Sequence, residues 1–396
     1  MRTYRELFRV PEFRPLFLLI ATQIAGTTVN GLALGTLVYS ATGSPLLAAI
    51  SIFGPSFAQV VGATTLLSVA DRVPPRAALA GVALFLGAGA LVLALPGWPI
   101  WALFVVIFFM GLAGSMGGGV RWGLLGEILP EGGYLLGRSV INMSVGATQI
   151  SGFALGGALL TVATPRQVLL IGATLYLTAA LVARFGLGRR PPRAVGRPSV
   201  RRTWQVNVRL WAAPARRYVY LALWLPNGLV VGCEALFIPY APEAAGALFV
   251  AGALGMLAGD TIVGRFVPAG WRHRLITPLQ LLLGAPYLLF VLPIPLPVAA
   301  LAAAAASAGF GAGVLLQQRL VDLTPADMRG QALGLHSSGM LTMQAVAATV
   351  AGAVAQYLPV GAAMATMAVL SLTVVLLLRP GLRIPADART PEPAAA

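Results

Sequence analysis

The chain contains no lysine, so all 27 of its basic residues are arginine. That excludes a phosphate-binding Gly-x-x-x-x-Gly-Lys loop and any enzyme that works through a lysine Schiff base. A single cysteine, Cys233, allows no internal disulfide and no cysteine-rich metal site. Two distant histidines, His273 and His336, make no metal pair. Charge of either sign is scarce: 10% of the 396 residues are charged, against about 25% in an ordinary soluble domain. What is present instead is apolar, at 58% hydrophobic with a mean hydropathy of +0.84. Soluble multidomain and disordered chains are both excluded. A net charge of +15 would ordinarily suggest nucleic acid, but most arginines lie between long apolar runs, so no nucleic-acid partner is expected. The composition is that of an integral membrane protein with the lipid bilayer as its surroundings, no ATP engine and no cofactor.

A bilayer core of roughly 30 Å takes about 20 apolar residues to cross as a helix. Such stretches fall near 15–39, 45–67, 77–96, 100–120, 140–162 and 167–186. They resume after a polar gap near 218–240, 244–264, 275–294, 297–317, 332–355 and 358–378. The first begins behind four arginines with no small-residue cleavage site after a short apolar core, and is read as a retained helix. Basic residues mark cytoplasmic loops. With both termini cytoplasmic, only Arg166 of the 27 arginines falls in an outer loop, and adding or removing one span would scramble that alternation. The expectation is a multi-pass protein of the cytoplasmic membrane. It comprises a six-helix bundle over 1–186, a basic cytoplasmic linker over 187–217, a second bundle over 218–380 and a cytoplasmic tail over 381–396. The linker carries Trp204, Val208 and Trp211 at helical spacing among ten arginines counted from Arg184. That pattern suits a short helix on the anionic inner leaflet, and equally a solvated basic tether.

A shift of 195 residues brings Glu127 onto Asp322, Pro130 onto Pro325, Gln149 onto Gln344 and Gly157 onto Gly352. An in-register repeat of six spans implies two pseudo-symmetric halves about an axis along the membrane normal, with a site between them. The fold class is therefore all-α, with twelve transmembrane helices in two six-helix bundles. The loop Asp71-Arg72-Val73-Pro74-Pro75-Arg76 resembles the Gly-x-x-x-Asp-Arg-x-Gly-Arg-Arg motif of the major facilitator superfamily, with Leu67 and Pro74 where glycines are usual. The stretch Tyr39 to Pro45, and Arg329-Gly330-Gln331-Ala332-Leu333-Gly334, resemble macrolide- and drug-efflux members of actinobacterial character. In the fifth span, Thr148-x-x-x-Gly152-Phe153-x-x-Gly156-Gly157 resembles the efflux motif Gly-x-x-x-Gly-Pro-x-x-Gly-Gly, with two departures. Ordinary helix packing accounts for these glycines equally well. The resemblance implies alternating access, and a small amphipathic or apolar substrate expelled against proton flow by a monomer. The alternative is proton-coupled uptake of a small metabolite. No cluster of His, Asp or Cys at catalytic spacing falls in the spans, so no enzyme is expected.

Ionisable residues within a membrane are costly and usually functional or paired. Glu234, in the seventh span among apolar neighbours, is the first candidate for proton coupling or for holding a cationic group; a structural carboxyl near the outer interface is the competing assignment. Asn30, Asn142, Gln149 and Gln344 are candidates to hydrogen-bond substrate, or amides that join helices. By the family resemblance, Asp71, Arg72, Arg76, Glu127 and Arg138, with Asp322 and Arg329 in the second half, would latch a cytoplasmic gate. Inside-positive topology alone explains most of those arginines, but not the acids placed among them.

Overall fold

The computed structural model describes residues 3–65, 73–129, 133–192, 200–325 and 328–383. Among them there is no strand, and twelve helices are long and apolar enough to cross a membrane. These are spans 1 (Phe13–Thr42), 2 (Pro45–Gly62), 3 (Pro75–Ala94), 4 (Ile100–Ile128), 5 (Leu136–Val162) and 6 (Pro165–Gly186). Spans 7 (Pro214–Tyr240), 8 (Ala245–Phe266), 9 (Gly270–Val291), 10 (Leu296–Asp322), 11 (Arg329–Val354) and 12 (Val360–Leu378) follow. A further helix, Val200–Ala212, lies in the linker.

Their ends are written in the sequence. Pro75, Pro165 and Pro214 stand in the first turn of spans 3, 6 and 7, where the missing N–H is one that no helix would satisfy. Thr164 and Gln167 form a reciprocal capping box at the start of span 6. Span 1 stops at Gly43, which takes the left-handed conformation at φ 63° and returns its N–H to the Tyr39 carbonyl. Several spans outrun the apolar stretches that announce them. Span 4 runs on to Ile128 and so carries Arg121, while Arg138 and Arg319 also sit on helices. Twenty-nine residues rise about 43 Å, more than the hydrocarbon thickness, so such helices carry basic turns beyond it.

Packing groups the described residues into two compact units, Met1–Arg197 with Phe237–Ala253, and Pro198–Leu236 with Leu254–Ala396. Within the first, span 1 packs on spans 5 and 6, span 3 on span 6, and span 2 on span 4. Within the second, span 7 packs on spans 11 and 12, span 9 on span 12, and span 8 on span 10. The same pairings recur six spans apart, as the internal repeat expects.

The second unit is the more interrupted. Span 7 breaks after Glu234 at Ala235–Leu236 and resumes over Phe237–Tyr240. Span 9 tightens from α-helix into a 3-10 helix over Ala285–Val291. The Gly309–Gly313 run, expected inside one continuous membrane helix, breaks span 10 at Gly309–Phe310. The chain passes through this turn on i→i+3 hydrogen bonds, and close approach requires the glycine: a side chain at Gly309 would collide with the backbone of Leu279 and Leu283 in span 9. Gly255 and Gly259 lie likewise against the Ala304 and Ala308 carbonyls of span 10, a small-x-x-x-small seam. Gly255→Ala is expected to destabilise the protein by about 1–3 kcal/mol through overpacking. Gly81→Ala, facing open space inside the span 3 helix, should not lower the unfolding temperature in detergent, since alanine favours helix over glycine.

Candidate functional site

Glu234 closes the first segment of span 7 and is half-buried. Its Oε1 accepts a hydrogen bond of 3.3 Å from Ser307 Oγ in span 10. Ser307 is fully buried, at the end of the alanine-rich helix Leu296–Ala308, immediately before the Gly309 break. Tyr287, fully buried in the 3-10 segment of span 9, lies near Ser307 and Glu234. Cys233, next in chain to Glu234, is buried and directs its thiol to the Met364 carbonyl of span 12 at 3.3 Å. The carboxyl, the hydroxyl and the phenol thus come from the interrupted stretches of three spans. Among the described residues no arginine pairs with Glu234. Such a carboxyl can gain or lose a proton without breaking an ion pair.

The same unit holds further cross-span hydrogen bonds. Gln344 Nε2 donates to Asn227 Oδ1 at 3.0 Å, joining spans 11 and 7. Gln280 Nε2 donates to the Ala222 carbonyl at 2.8 Å, and Trp224 Nε1 to the His336 carbonyl at 3.0 Å. Gln344 is therefore tied to span 7 rather than left open.

The other candidate amides belong to the first unit. Asn30 is buried in the seam between spans 1 and 6, its carboxamide against Gly172, beside a 3.0 Å hydrogen bond from Tyr176 Oη to Thr27 Oγ1. Asn142 and Gln149 are both exposed on span 5. Seven residues apart, they share a face two turns long with Arg138 at its start. The glycines of the efflux-like motif turn elsewhere. Gly152 lies against Thr28, Gly156 against Val29 and Leu32 of span 1, and Gly157 against Gly246. Thr148 is half-buried, and Phe153 stacks on Phe249 with centroids 4.7 Å apart.

Of the expected gate residues, Asp71 and Arg72 lie outside the described residues. Glu127 pairs with Arg190, whose Nε lies 3.5 Å from its carboxylate. The same guanidinium holds Glu12 at 2.6 Å. Arg190 therefore ties the residue before span 1 to the end of span 4. Arg76 donates to the Leu187 carbonyl at 3.4 Å, and Arg138 stacks over Trp122 at 5.4 Å. In the second unit Asp322 is exposed, and Arg329 donates to the Thr324 carbonyl at 3.3 Å.

Sequence reasoning missed Ser307, Tyr287, Gln280 and Arg190. Ser307 did leave a signal, as the one hydroxyl in a run of alanines from Ala302 to Ala308.

The family model described as Major Facilitator Superfamily matches residues 16–242. The chain belongs to this superfamily. It is a multi-pass membrane transporter. Its fold is similar to solved transporters across nearly their whole length. A POT family transporter in complex with 5-aminolevulinic acid has a TM-score of 0.75 at 13% identity, over 94% of this chain and 96% of that one. A peptide transporter POT in complex with sulfate gives 0.71 at 15%, over 93% and 94%. A bacterial homolog of the human lysosomal transporter Spinster, in an inward-facing and unoccupied conformation, gives 0.65 at 15%, over 96% of each chain. No curated protein sequence matches the chain.

The Gln344–Asn227 bond offers a check on whether it is glue. A double-mutant cycle of Gln344→Ala and Asn227→Ala should return a coupling of about 0.6 kcal/mol, typical of interhelical hydrogen bonds in membranes. A coupling near zero in thermal unfolding would mean the pair does not hold spans 7 and 11 together.

Proposed function

We propose that this superfamily member is a secondary active exporter of small amphipathic or apolar compounds, of the drug or macrolide kind, driven by proton entry. The observation that carries the reading is the Glu234–Ser307 hydrogen bond at interrupted stretches of spans 7 and 10. A half-buried carboxyl held by a neutral hydroxyl, with no described arginine beside it, suits reversible protonation better than permanent pairing. Ser307 can donate to the carboxylate, and after protonation the carboxyl can donate in return, so either state keeps a partner.

Asn142 and Gln149 on the exposed face of span 5 support a wetted solute path, because lipid would leave both amides unsatisfied. Asn30 and Gln344, each packed between spans, are read as positioning groups. The glycine seam at Gly152, Gly156 and Gly157 would let span 5 move against its neighbours. The arginine-rich ends of the spans are assigned to the cytoplasm, with both termini. There Asp71 and Arg72, with Arg76, Glu127, Arg138, Asp322 and Arg329, would make and break the gate contacts of alternating access, and the protein would work as a monomer.

Uptake of a small metabolite is the second reading. Likeness to transporters solved with 5-aminolevulinic acid and with a thioalcohol-conjugated peptide favours it, although that likeness is one of fold.

Accumulation of lipophilic fluorescent cations in cells tests the proposal. Cells carrying the wild-type protein should accumulate less dye than cells without it, and a proton uncoupler should remove the difference. Glu234→Gln, expressed at normal level, should behave as the uncoupler does. Wild-type activity in Glu234→Gln would overturn the coupling role, and higher dye in wild-type cells would mean uptake. Asp71→Asn should slow transport several-fold without changing expression; an unaltered rate would leave topology as that acid's only setting.

A further inference from the structure

The linker helix Val200–Ala212 has two apolar sides that do different things. One is docked. Leu210 is fully buried and Val206 packs on the core of the second unit. Asn207 Oδ1 accepts a 2.8 Å hydrogen bond from Gln331 Nε2 of span 11. Arg216 fastens the C-terminal turn. Its guanidinium donates to the Leu210 carbonyl at 3.2 Å, the Arg209 carbonyl at 3.1 Å, and the Leu323 carbonyl beyond span 10 at 3.1 Å. The helix is thus pinned to the ends of spans 7, 10 and 11.

The second side is uncovered. Trp204, Val208 and Trp211 stand at i, i+4 and i+7, one stripe of a helix, and are 69%, 53% and 37% exposed. Trp211 lies at the stripe's inner edge, stacked on Trp224 at 5.7 Å. Among the described residues Trp204 and Val208 make no comparable ring stacking. The flanks are basic: Arg209 and Arg217 are exposed, and no acidic residue occurs anywhere between Glu131 and Glu234. At the start of span 9, Trp271 is likewise 59% exposed, with Arg274 over its ring at 5.9 Å.

We infer that this stripe is a docking surface for the anionic lipid headgroups of the leaflet at the arginine-rich end of the spans. Two features favour lipid over a soluble partner. The helix is fixed to the span ends, so the headgroup zone already lies beside it. Its chemistry is also that of an interfacial anchor: tryptophan for the boundary, an aliphatic side chain for the acyl edge, and arginine for phosphate. The inference stands independently of substrate and coupling ion.

The test uses the full-length protein in nanodiscs of brominated phosphatidylglycerol or brominated phosphatidylcholine. The fluorescence of Trp204 is taken as wild type minus Trp204→Phe. That component should be quenched in both lipids and at least twofold more strongly by phosphatidylglycerol. Arg209→Gln, or high salt, should reduce the excess. A Trp204 component that neither lipid quenches would overturn the inference, the stripe being covered by protein instead. Equal quenching by both would overturn the anionic preference. An environment-sensitive dye on Val208→Cys, the native Cys233 being buried, provides a second reading. Its emission should shift to the blue in phosphatidylglycerol discs relative to phosphatidylcholine, and an unshifted emission would count against the inference.

Discussion

Inside a bilayer no water is at hand to satisfy a carbonyl that a broken helix leaves unpaired, so irregular backbone survives there only when protein or a wetted cavity supports it. Spans 7, 9 and 10 each depart from regular α-helix, and they do so beside one another, at Glu234, Ala285–Val291 and Gly309–Phe310. The departures are held up by what surrounds them. Gly309 lets span 10 press against the backbone of span 9, Ser307 bridges to Glu234, and the Cys233 thiol turns to a carbonyl of span 12. A charged group in such a place is costly, and this one has a neutral partner. That combination is the ground on which Glu234 is proposed as the proton-exchanging group.

The first unit is built differently. Its spans are nearly continuous, with Pro55 as the internal proline of span 2, and its described ion pairs lie at the ends of the helices. Arg190 gathers Glu12 and Glu127 there. Partly exposed pairs of this sort contribute about 0–1 kcal/mol apiece. Their value lies in registering the segment before span 1 against spans 4 and 6. Small residues do the rest: Gly152 and Gly156 bring span 5 close to span 1, and Gly157 admits Gly246. One unit thus has nearly continuous spans and the other interrupted ones, although both share the same pairing pattern.

The twelve spans were legible because hydrocarbon thickness sets helix length and arginine marks alternate ends, so two independent signals agreed. The ends of helices were less so: Arg121 and Arg138 look like loop residues to a hydropathy window, yet spans 4 and 5 carry them within the helix, Arg121 returning its Nε–H to the Gly117 carbonyl and Arg138 stacking over Trp122. Glu234 was legible as the acid among apolar neighbours. Ser307 and Tyr287 were not, since a serine among alanines and a tyrosine among leucines acquire meaning only when three spans meet. Glu127 was expected among nearby arginines, and one arginine that holds it, Arg190, lies 63 positions further along. Contacts of that length leave no local pattern to read. The Gly309 run shows the reverse case, a glycine cluster that fits a continuous helix by hydropathy but passes through a turn of i→i+3 hydrogen bonds against span 9.

The central claim is that the carboxyl of Glu234 gains and loses a proton within the folded transporter. Infrared difference spectroscopy of the purified protein in lipid, recorded across a pH series, measures this directly. A carboxylic-acid carbonyl stretching band should titrate in the wild-type protein, shift in Ser307→Ala and be missing in Glu234→Gln. A titration spectrum in that region identical for wild type and Glu234→Gln would contradict it.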